Sequence, residues 1–364
     1  MALALTHPAL QLSASPPPCD ACGRTDALLR RSLDFEGYPG RFDLWQCRSC
    51  NLVWNWPQLP AEAIGRQYDG DYYVFSSPPS RRWSRAVQLY LNHLHPLEQA
   101  SPDRRLLEIG CARGELLALA AARGWNAEGV EISVETAEAA RNEYSLHVRT
   151  GRVEEYADRI GKFDVVIATD VIEHVTSPRR FLLAIRGILN PGGTAVIETP
   201  NYDSLWRRLG GSAWIGFNRF HLYLFNGEAL TTLARRCGFA DCQIGTTTHY
   251  AYTRWGDRPE LARLSRRLPA GFQWRLTRWL DAVTPRSTAT ELRRHPVVSF
   301  AEAVSRVAAL GNCSKQWRPA SRLTGDNLVI RARAAERDLV AETFSCRRGR
   351  SDIGSSDLQG TSGF

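Results

Sequence analysis

Short apolar runs alternate with helical patterns through most of the chain. Each run has the length of a β-strand, and the one at 163–168 is almost continuously apolar, as is typical of a parallel strand covered on both faces. Seven such runs occur, at 106–109, 127–132, 146–148, 163–168, 194–198, 242–248 and 326–332. Leu and Ala recur at helical spacing after the first run, and regular alternation of strand and helix predicts a βαβ succession. We therefore expect an α/β fold with a seven-stranded sheet, in which 190–193 forms a turn before the fifth strand.

A glycine-containing turn follows the first predicted strand. Gly110 and Gly114 follow Glu108, and Glu131, in the second predicted strand, lies 21 positions beyond Gly110. Glycines let the backbone approach a ligand, and an acid at that distance binds ribose hydroxyls in doubly wound folds. The dinucleotide pattern G-x-G-x-x-G is not met, because alanine and glutamate occupy the second and third glycine positions. The turn thus predicts a nucleoside-containing cofactor other than NAD.

Four cysteines near the start have metal-ligand spacing. Cys19, Cys22, Cys47 and Cys50 form two C-x2-C pairs separated by 24 residues. Such pairs close a tetrahedral zinc site, and four protein ligands leave no open position for chemistry. We expect one structural zinc ion.

The composition narrows the class of protein only slightly. The 364 residues carry a net charge of +8 and nine cysteines, and no run of 18 apolar residues occurs. We expect a cytoplasmic protein without a secretory signal or transmembrane helix, and the oligomeric state stays open. The basic balance allows contact with nucleic acid, anionic lipid or an acidic substrate.

Several segments together resemble one enzyme family. The stretch 108–114 is similar to motif I of the class I S-adenosylmethionine (SAM)-dependent methyltransferases, with Ala112 in place of the middle glycine. Further similarity lies in F-D-V-V at 163–166, D-V-I-E-H-V at 170–175, L-N-P-G-G at 189–193 and H-L-Y-L-F at 221–225, which resemble the ubiquinone-biosynthesis-like branch. A zinc-ribbon-like module before such a domain is similar to bacterial sugar C-methyltransferases. The resemblance implies a Rossmann-like sheet and SAM as cofactor.

The resemblance also implies roles for individual residues. Glu108 would face the methionine amino group, the turn from Gly110 to Gly114 would lie under it, Glu131 would bind the ribose, and Asp170 would lie near the donor group. The family often has an acid for the adenine where this chain has Arg152, so the backbone at Val153 or the side chain of Glu154 would replace it. The predicted cofactor-binding set is Glu108, Gly110, Cys111, Ala112, Gly114, Glu131, Ile132, Val153 and Asp170.

Two histidines are candidates for the general base. His174 follows the fourth predicted strand, and His221 lies in an aromatic-rich loop after the fifth. We favour His221, because its neighbours can exclude water from the acceptor. Glu173 is not expected to orient His174, because adjacent residues on a helix do not face each other, and no metal-ligand triad is apparent around the two histidines.

The organisation and function follow from these motifs. We predict a disordered tail at 1–17, a zinc-ribbon-like module at 18–57, connecting helices at 58–103, a methyltransferase domain at 104–335 and a disordered tail at 336–364. A helical insert at about 251–322 mixes Arg with Leu and Trp; a lid or dimer face is favoured, and peripheral contact with the inner membrane face is the alternative. We expect methyl transfer to a small-molecule, saccharide or lipid-linked acceptor in polysaccharide or secondary-metabolite biosynthesis. The alternatives are an RNA-binding methyltransferase, which is disfavoured, and a non-catalytic SAM-binding subunit.

Overall fold

The computed structural model describes residues 15–34, 41–58, 78–210, 214, 216–218, 220–247, 299–311 and 327–335. The strands in these ranges are β1 (Ala27–Asp34), β2 (Arg41–Cys47), β3 (Val53–Trp56), β4 (Arg105–Ile109), β5 (Asn126–Glu131), β6 (His147–Thr150), β7 (Phe163–Thr169), β8 (Leu189–Pro200), β9 (Tyr223–Leu224), β10 (Phe239–Thr247) and β11 (Asn327–Ala334). The α-helices are α1 (Pro79–Leu89), α2 (Glu115–Ala122), α3 (Val134–Tyr144), α4 (Pro178–Ile188), α5 (Leu205–Gly210), α6 (Gly227–Arg236) and α7 (Phe300–Gly311).

The predicted seven-stranded sheet is confirmed, in the order β10-β11-β8-β7-β4-β5-β6. The five strands from β8 to β6 pair in parallel, whereas β11 pairs antiparallel with both β8 and β10. The chain places β5 on one side of β4 and, after β6, returns to place β7 on the other side. The strand order therefore reverses at β4, and ligands bind at such a point outside the carboxyl ends of the strands.

Alternate residues of the central strands pack on opposite faces of the sheet. Leu106 and Val165 contact the cluster formed with α1, α2 and α7, whereas Leu107 and Val166 contact the other cluster, which includes α4, α6 and the cysteine module. This alternation is the period of two that a strand imposes. Both faces are covered, which explains the nearly continuous apolar runs of the sequence.

Helix α4 shows how the local sequence defines an element. The Ser177 side chain accepts a hydrogen bond from the Arg180 N–H, and Pro178 occupies the first helical turn, where its missing N–H costs nothing. Phe181 and Ile185, one turn apart, are buried on the same face. The helix therefore begins at a defined residue, and it packs on the same face of the sheet as the cysteine module.

One segment differs from the sequence prediction, and other predicted segments lie outside the described residues. The predicted turn at 190–193 lies inside β8: the register with β7 skips from Leu189 opposite Phe163 to Thr194 opposite Val165, so the segment forms a bulge. Of the predicted insert, 299–311 is described and contains α7. The rest of the insert and both predicted tails, apart from 15–17, lie outside the described residues, so membrane contact stays a prediction. No helix among the described residues is long and apolar enough to cross a bilayer.

Candidate functional site

The turn after β4 has a backbone that only particular residues tolerate. Gly110, Ala112 and Gly114 all have positive φ, at 74°, 47° and 84°. A Cβ atom on Gly110 would lie 2.5 Å from Cγ2 of Val171, so that a larger residue would clash as well as strain the backbone. The Gly110 N–H donates to the Val130 carbonyl at 2.8 Å. The turn is therefore held between β5 and the loop after β7.

Glu131 stabilises the same turn from the end of β5. Its Oε2 accepts a hydrogen bond from the Ala112 N–H at 2.8 Å, and its Oε1 accepts one from the Ser133 N–H at 2.9 Å. Burial raises the pKa of Glu131, and these backbone donors act in the opposite direction. Each carboxylate oxygen can accept a further hydrogen bond, so the side chain can bind a pair of hydroxyl groups.

Glu108 is a buried acid at the carboxyl end of β4. Among the described residues its Oε2 has no hydrogen-bond partner. Burial, with the negative charges of Glu115 and Glu131, raises the pKa of Glu108 to about 8. A buried carboxyl group of this kind favours a cationic ligand, because a cation offsets the desolvation of its charged form.

These residues line a cavity of about 440 Å³ at the carboxyl ends of β4, β5 and β7. Eight of the nine predicted cofactor-binding residues line it, namely Glu108, Gly110, Cys111, Ala112, Glu131, Ile132, Val153 and Asp170. Gly114 is outside the lining; a Cβ there would lie 2.6 Å from Cδ1 of Leu146, so this glycine allows α2 to begin close to the α3–β6 connection. Arg152 and Glu154 also line the cavity, beside Val153.

Arginines of α1 form one wall of the cavity. Arg81, Arg82 and Arg85 line the cavity. Arg82 pairs with Glu115, and Arg85 pairs with Asp170, 85 positions away in the sequence. Helical spacing places these arginines on one side of α1, but only the tertiary fold shows that this side meets the cavity.

The two candidate histidines lie together, with ring centroids 4.8 Å apart. His174 lines the cavity, whereas His221 is not among the lining residues. Burial lowers the pKa of His174, and burial and His174 lower that of His221 to about 3, so both rings are neutral near pH 7. The histidine in a position to meet an acceptor in the cavity is therefore His174.

Glu173 joins these histidines, contrary to the sequence prediction. The segment 172–174 is a turn rather than a helix, and Glu173 Oε1 lies 3.8 Å from His174 Nε2. One ligand atom from each of Glu173, His174 and His221 lies within 4.8 Å of the others. The sequence did not bring this cluster together, because its third member is 48 positions away from its first.

The four predicted zinc ligands converge within the N-terminal module. Cys19 Sγ lies 3.5 Å from Cys50 Sγ, and Cys22 Sγ lies 3.4 Å from Cys47 Sγ. All four sulfur atoms lie within 4.8 Å of one another. This spacing fits tetrahedral zinc, in which Zn–S bonds of ~2.3 Å separate the sulfurs by ~3.8 Å.

The N-terminal module is joined to the region that carries His221. Strand β3 pairs antiparallel with β9, with Val53 opposite Leu224. The Asn55 N–H donates to the Leu222 carbonyl at 3.0 Å, and the Asn55 side-chain amide donates to the His221 carbonyl at 3.2 Å. The strand order β1-β2-β3-β9 therefore makes one sheet from the module and the methyltransferase-like part.

Known methyltransferases are similar to parts of this chain. Residues 79–244 match a family model described as a methyltransferase domain. The ubiquinone biosynthesis O-methyltransferase of Erwinia tasmaniensis is 32% identical over 150 residues, which cover 37% of this chain and 62% of that protein. The enzyme of the same name from Caulobacter sp. is 36% identical over 103 residues, covering 27% and 41%. Phosphoethanolamine N-methyltransferase 2 of Haemonchus contortus, solved with SAM, is 15% identical with a TM-score of 0.45, covering 83% of this chain and 70% of that one.

Residues 79–244 are therefore similar to a methyltransferase domain, and the strand order and the motif turn match the class I SAM-dependent methyltransferase fold. The chain spans less than two thirds of the length of the curated relatives just described.

Proposed function

We propose that the protein transfers the methyl group of SAM to a hydroxyl group of a small-molecule acceptor. The observation that carries this proposal is the cavity at the reversal of strand order, with Glu108 and Glu131 at its base. SAM supplies an activated methyl group, so the protein has mainly to align two reactants and exclude water. The names of the curated relatives, which are O-methyltransferases, support an oxygen acceptor. They give no support to the expected role in polysaccharide or secondary-metabolite biosynthesis.

In this proposal each acid of the cavity has one task. Glu108 pairs with the ammonium group at the methionine end, because its buried Oε2 needs a cationic donor. Glu131 accepts the ribose hydroxyls while its backbone hydrogen bonds hold it in place. Val153 and Glu154, on the lining near β6, contact the adenine.

We assign activation of the acceptor to the histidine side of the cavity. The acceptor hydroxyl has to lose its proton as the methyl group is transferred. His174 lines the cavity, and the neutral state of its ring suits this task. His221 lies behind it and supports its position. This reverses the preference for His221 that the sequence suggested.

We also propose that Cys19, Cys22, Cys47 and Cys50 hold one structural zinc ion. The convergence of their sulfur atoms supports it. The ion would close the module of residues 18–57, and the methyltransferase domain would extend over 104–335, with 58–103 connecting the two.

Substitution of Glu131 tests the cofactor assignment. Glu131→Gln retains one acceptor oxygen but loses the charge, and we expect SAM affinity to fall by about 1.5–3 kcal/mol, the range for hydrogen bonds to a charged group. Isothermal calorimetry measures this. Glu135→Gln is the matched control, since Glu135 is exposed on α3 and should leave affinity unchanged. Undiminished affinity in Glu131→Gln would remove the ribose assignment.

The acceptor class is tested with labelled SAM and a panel of phenols, catechols and free sugars. Transfer of label to a hydroxyl-bearing compound is the expected result. His174→Ala should then lower the turnover number by about 10²–10⁴ with SAM affinity retained. Label found only on amines or on RNA would contradict the proposal.

A further inference from the structure

We propose that Glu173, His174 and His221 bind a divalent transition-metal ion at the edge of the cofactor cavity. Their ligand atoms lie within 4.8 Å of one another. Two imidazoles and one carboxylate form a common ligand set for such ions, and three protein ligands leave positions open for water or substrate. This site is separate from the four cysteines, and the inference deepens the proposed function.

Both rings are already oriented as metal-binding histidines are. His174 Nδ1 lies 2.9 Å from the Phe220 carbonyl oxygen, and His221 Nδ1 lies 2.9 Å from the Gly216 carbonyl oxygen. A carbonyl can only accept, so each Nδ1 carries the proton and donates it. In each neutral ring the lone pair is then on Nε2. An N–H donated to a backbone carbonyl is the usual outer support of a histidine ligand.

Glu173 supplies the negative charge. Its side chain is 1% exposed, and its Oε2 accepts a hydrogen bond from the Thr199 hydroxyl at 2.9 Å. Its Oε1 has no hydrogen-bond partner among the described residues. A carboxylate oxygen buried in this way is costly, and a cation coordinated by it offsets that cost.

Backbone hydrogen bonds hold the segments that carry the three proposed ligand residues close together. The Glu173 carbonyl accepts hydrogen bonds from the N–H groups of Leu222 and Tyr223, at 2.8 and 3.2 Å. These contacts fasten the turn that carries Glu173 and His174 to the loop that carries His221. Asp170 belongs to the neighbouring wall, because its carboxylate pairs with Arg85.

The position of the site suggests how the ion acts. His174 lines the cavity, so an ion on its Nε2 can reach an acceptor there through an open coordination position. A divalent ion lowers the pKa of a bound hydroxyl group and thereby favours its ionised, nucleophilic form. His174 then activates the acceptor as a ligand of the ion, and the proton leaves to solvent or to a water in the cavity.

Cobalt is the probe for this site. Full-length protein is first loaded with one equivalent of zinc, which the four thiolates bind in preference to nitrogen and oxygen ligands, and it is then titrated with Co²⁺. We expect one equivalent to bind with a weak visible absorption spectrum that lacks thiolate-to-cobalt charge-transfer bands. Two exchangeable, paramagnetically shifted proton resonances should appear in the NMR spectrum, from the Nδ1–H groups of the two rings. These measurements need no variant.

Two variants and one control complete the test. Glu173→Gln and His221→Ala should each weaken Co²⁺ binding at least ~10-fold, the lower end of what losing even an outer-shell partner costs. His147→Ala is the control, because that imidazole is exposed beside Glu128 and away from the cluster. The proposal is overturned if the zinc-loaded wild type binds no Co²⁺, or if the spectrum shows thiolate bands. SAM affinity is measured on the same samples without Co²⁺, so failure of the metal proposal with intact SAM binding leaves the proposed function standing.

Discussion

At the scale of the residue, Glu108 has an environment very unlike that of a solvent-exposed acid. Burial and two neighbouring acids, Glu115 and Glu131, raise its pKa from 4.5 to about 8, and Arg85 opposes this only weakly. The folded protein therefore binds a proton here that the unfolded chain releases above about pH 4.5. Binding of a cation beside Glu108 reverses the effect, since it favours the ionised form.

The raised pKa of Glu108 determines how the stability of the fold changes with pH. Because the folded state binds more protons between about pH 4.5 and 8, this group makes the free energy of unfolding fall as pH rises through that window. SAM affinity should rise over the same window. Thermal denaturation and calorimetry at several pH values measure both quantities. Glu108→Gln should show a flatter stability profile and weaker SAM binding; an unchanged profile would contradict the assignment.

The sequence alone predicted that Glu108 lies at the cofactor cavity, but it could not predict the raised pKa of Glu108. Its position near the end of an apolar strand and just before Gly110 is a local pattern, and this pattern predicted that Glu108 contacts the cavity. The raised pKa depends on Glu115 and Glu131, whose distances from Glu108 are set by the packing of α2 and β5. For the same reason the pair His93–Glu198, buried with 2.6 Å between Nε2 and Oε2, had no sequence signal: its members lie 105 positions apart.

At the scale of the element, the turn between β4 and α2 depends on the glycine at position 110. Gly110→Ala should destabilise the fold by about 1–3 kcal/mol, since it adds strain at positive φ and a clash with Val171. Gly187→Ala in α4 is the matched control. A Cβ there meets nothing within 4 Å, and alanine favours a helix, so stability should be unchanged or rise by about 0.5–1 kcal/mol.

Chemical denaturation compares the two variants. Adding Val171→Ala to Gly110→Ala should recover the part of the loss that comes from the clash but not the part due to backbone strain. Equal stability of the Gly110 and Gly187 variants would show that the turn relaxes freely.

The elements themselves were largely predictable from periodicity, because strands and helices are specified by neighbouring residues. The ends of the strands and helices were less predictable. Strand β8 begins at Leu189, although the Asn-Pro-Gly-Gly sequence that follows predicts a turn. Pairing of Leu189 and Thr194 with β7, on either side of this segment, keeps it within the strand as a bulge. Strand β9 had no pattern of its own, since two residues are too few to show a period.

At the scale of the whole molecule, the cysteine module and the His221 loop share one sheet. Cys47 ends β2, which pairs with β3, and β3 in turn pairs with β9. The Asp20 carboxylate also accepts hydrogen bonds from the Ser177 hydroxyl and the Arg179 N–H at the start of α4. An ordered cysteine module should therefore also keep the loop that carries His221 ordered.

Loss of zinc tests this connection. Cys47→Ser should release the ion and reduce the hydrogen-exchange protection of amides at 222–224, as well as that of the module. Mass spectrometry locates the exchange, and elemental analysis counts the zinc. Cys242→Ser is the control, because Cys242 lies outside the cluster, on β10. Protection at 222–224 that is unaffected by zinc release would show that the two regions are independent.

The shared sheet has a consequence for making hybrids with related enzymes. A chain shortened to begin after residue 58 would lose β3 and leave β9 with unpaired N–H and C=O groups, and Tyr223 would lose the cover of Trp54 opposite it. Exposed edges of this kind promote association between chains. The unit that can be exchanged between relatives is therefore the module together with the segment from His221 to Phe225, so that changes in these two distant stretches of sequence have to be made as a pair.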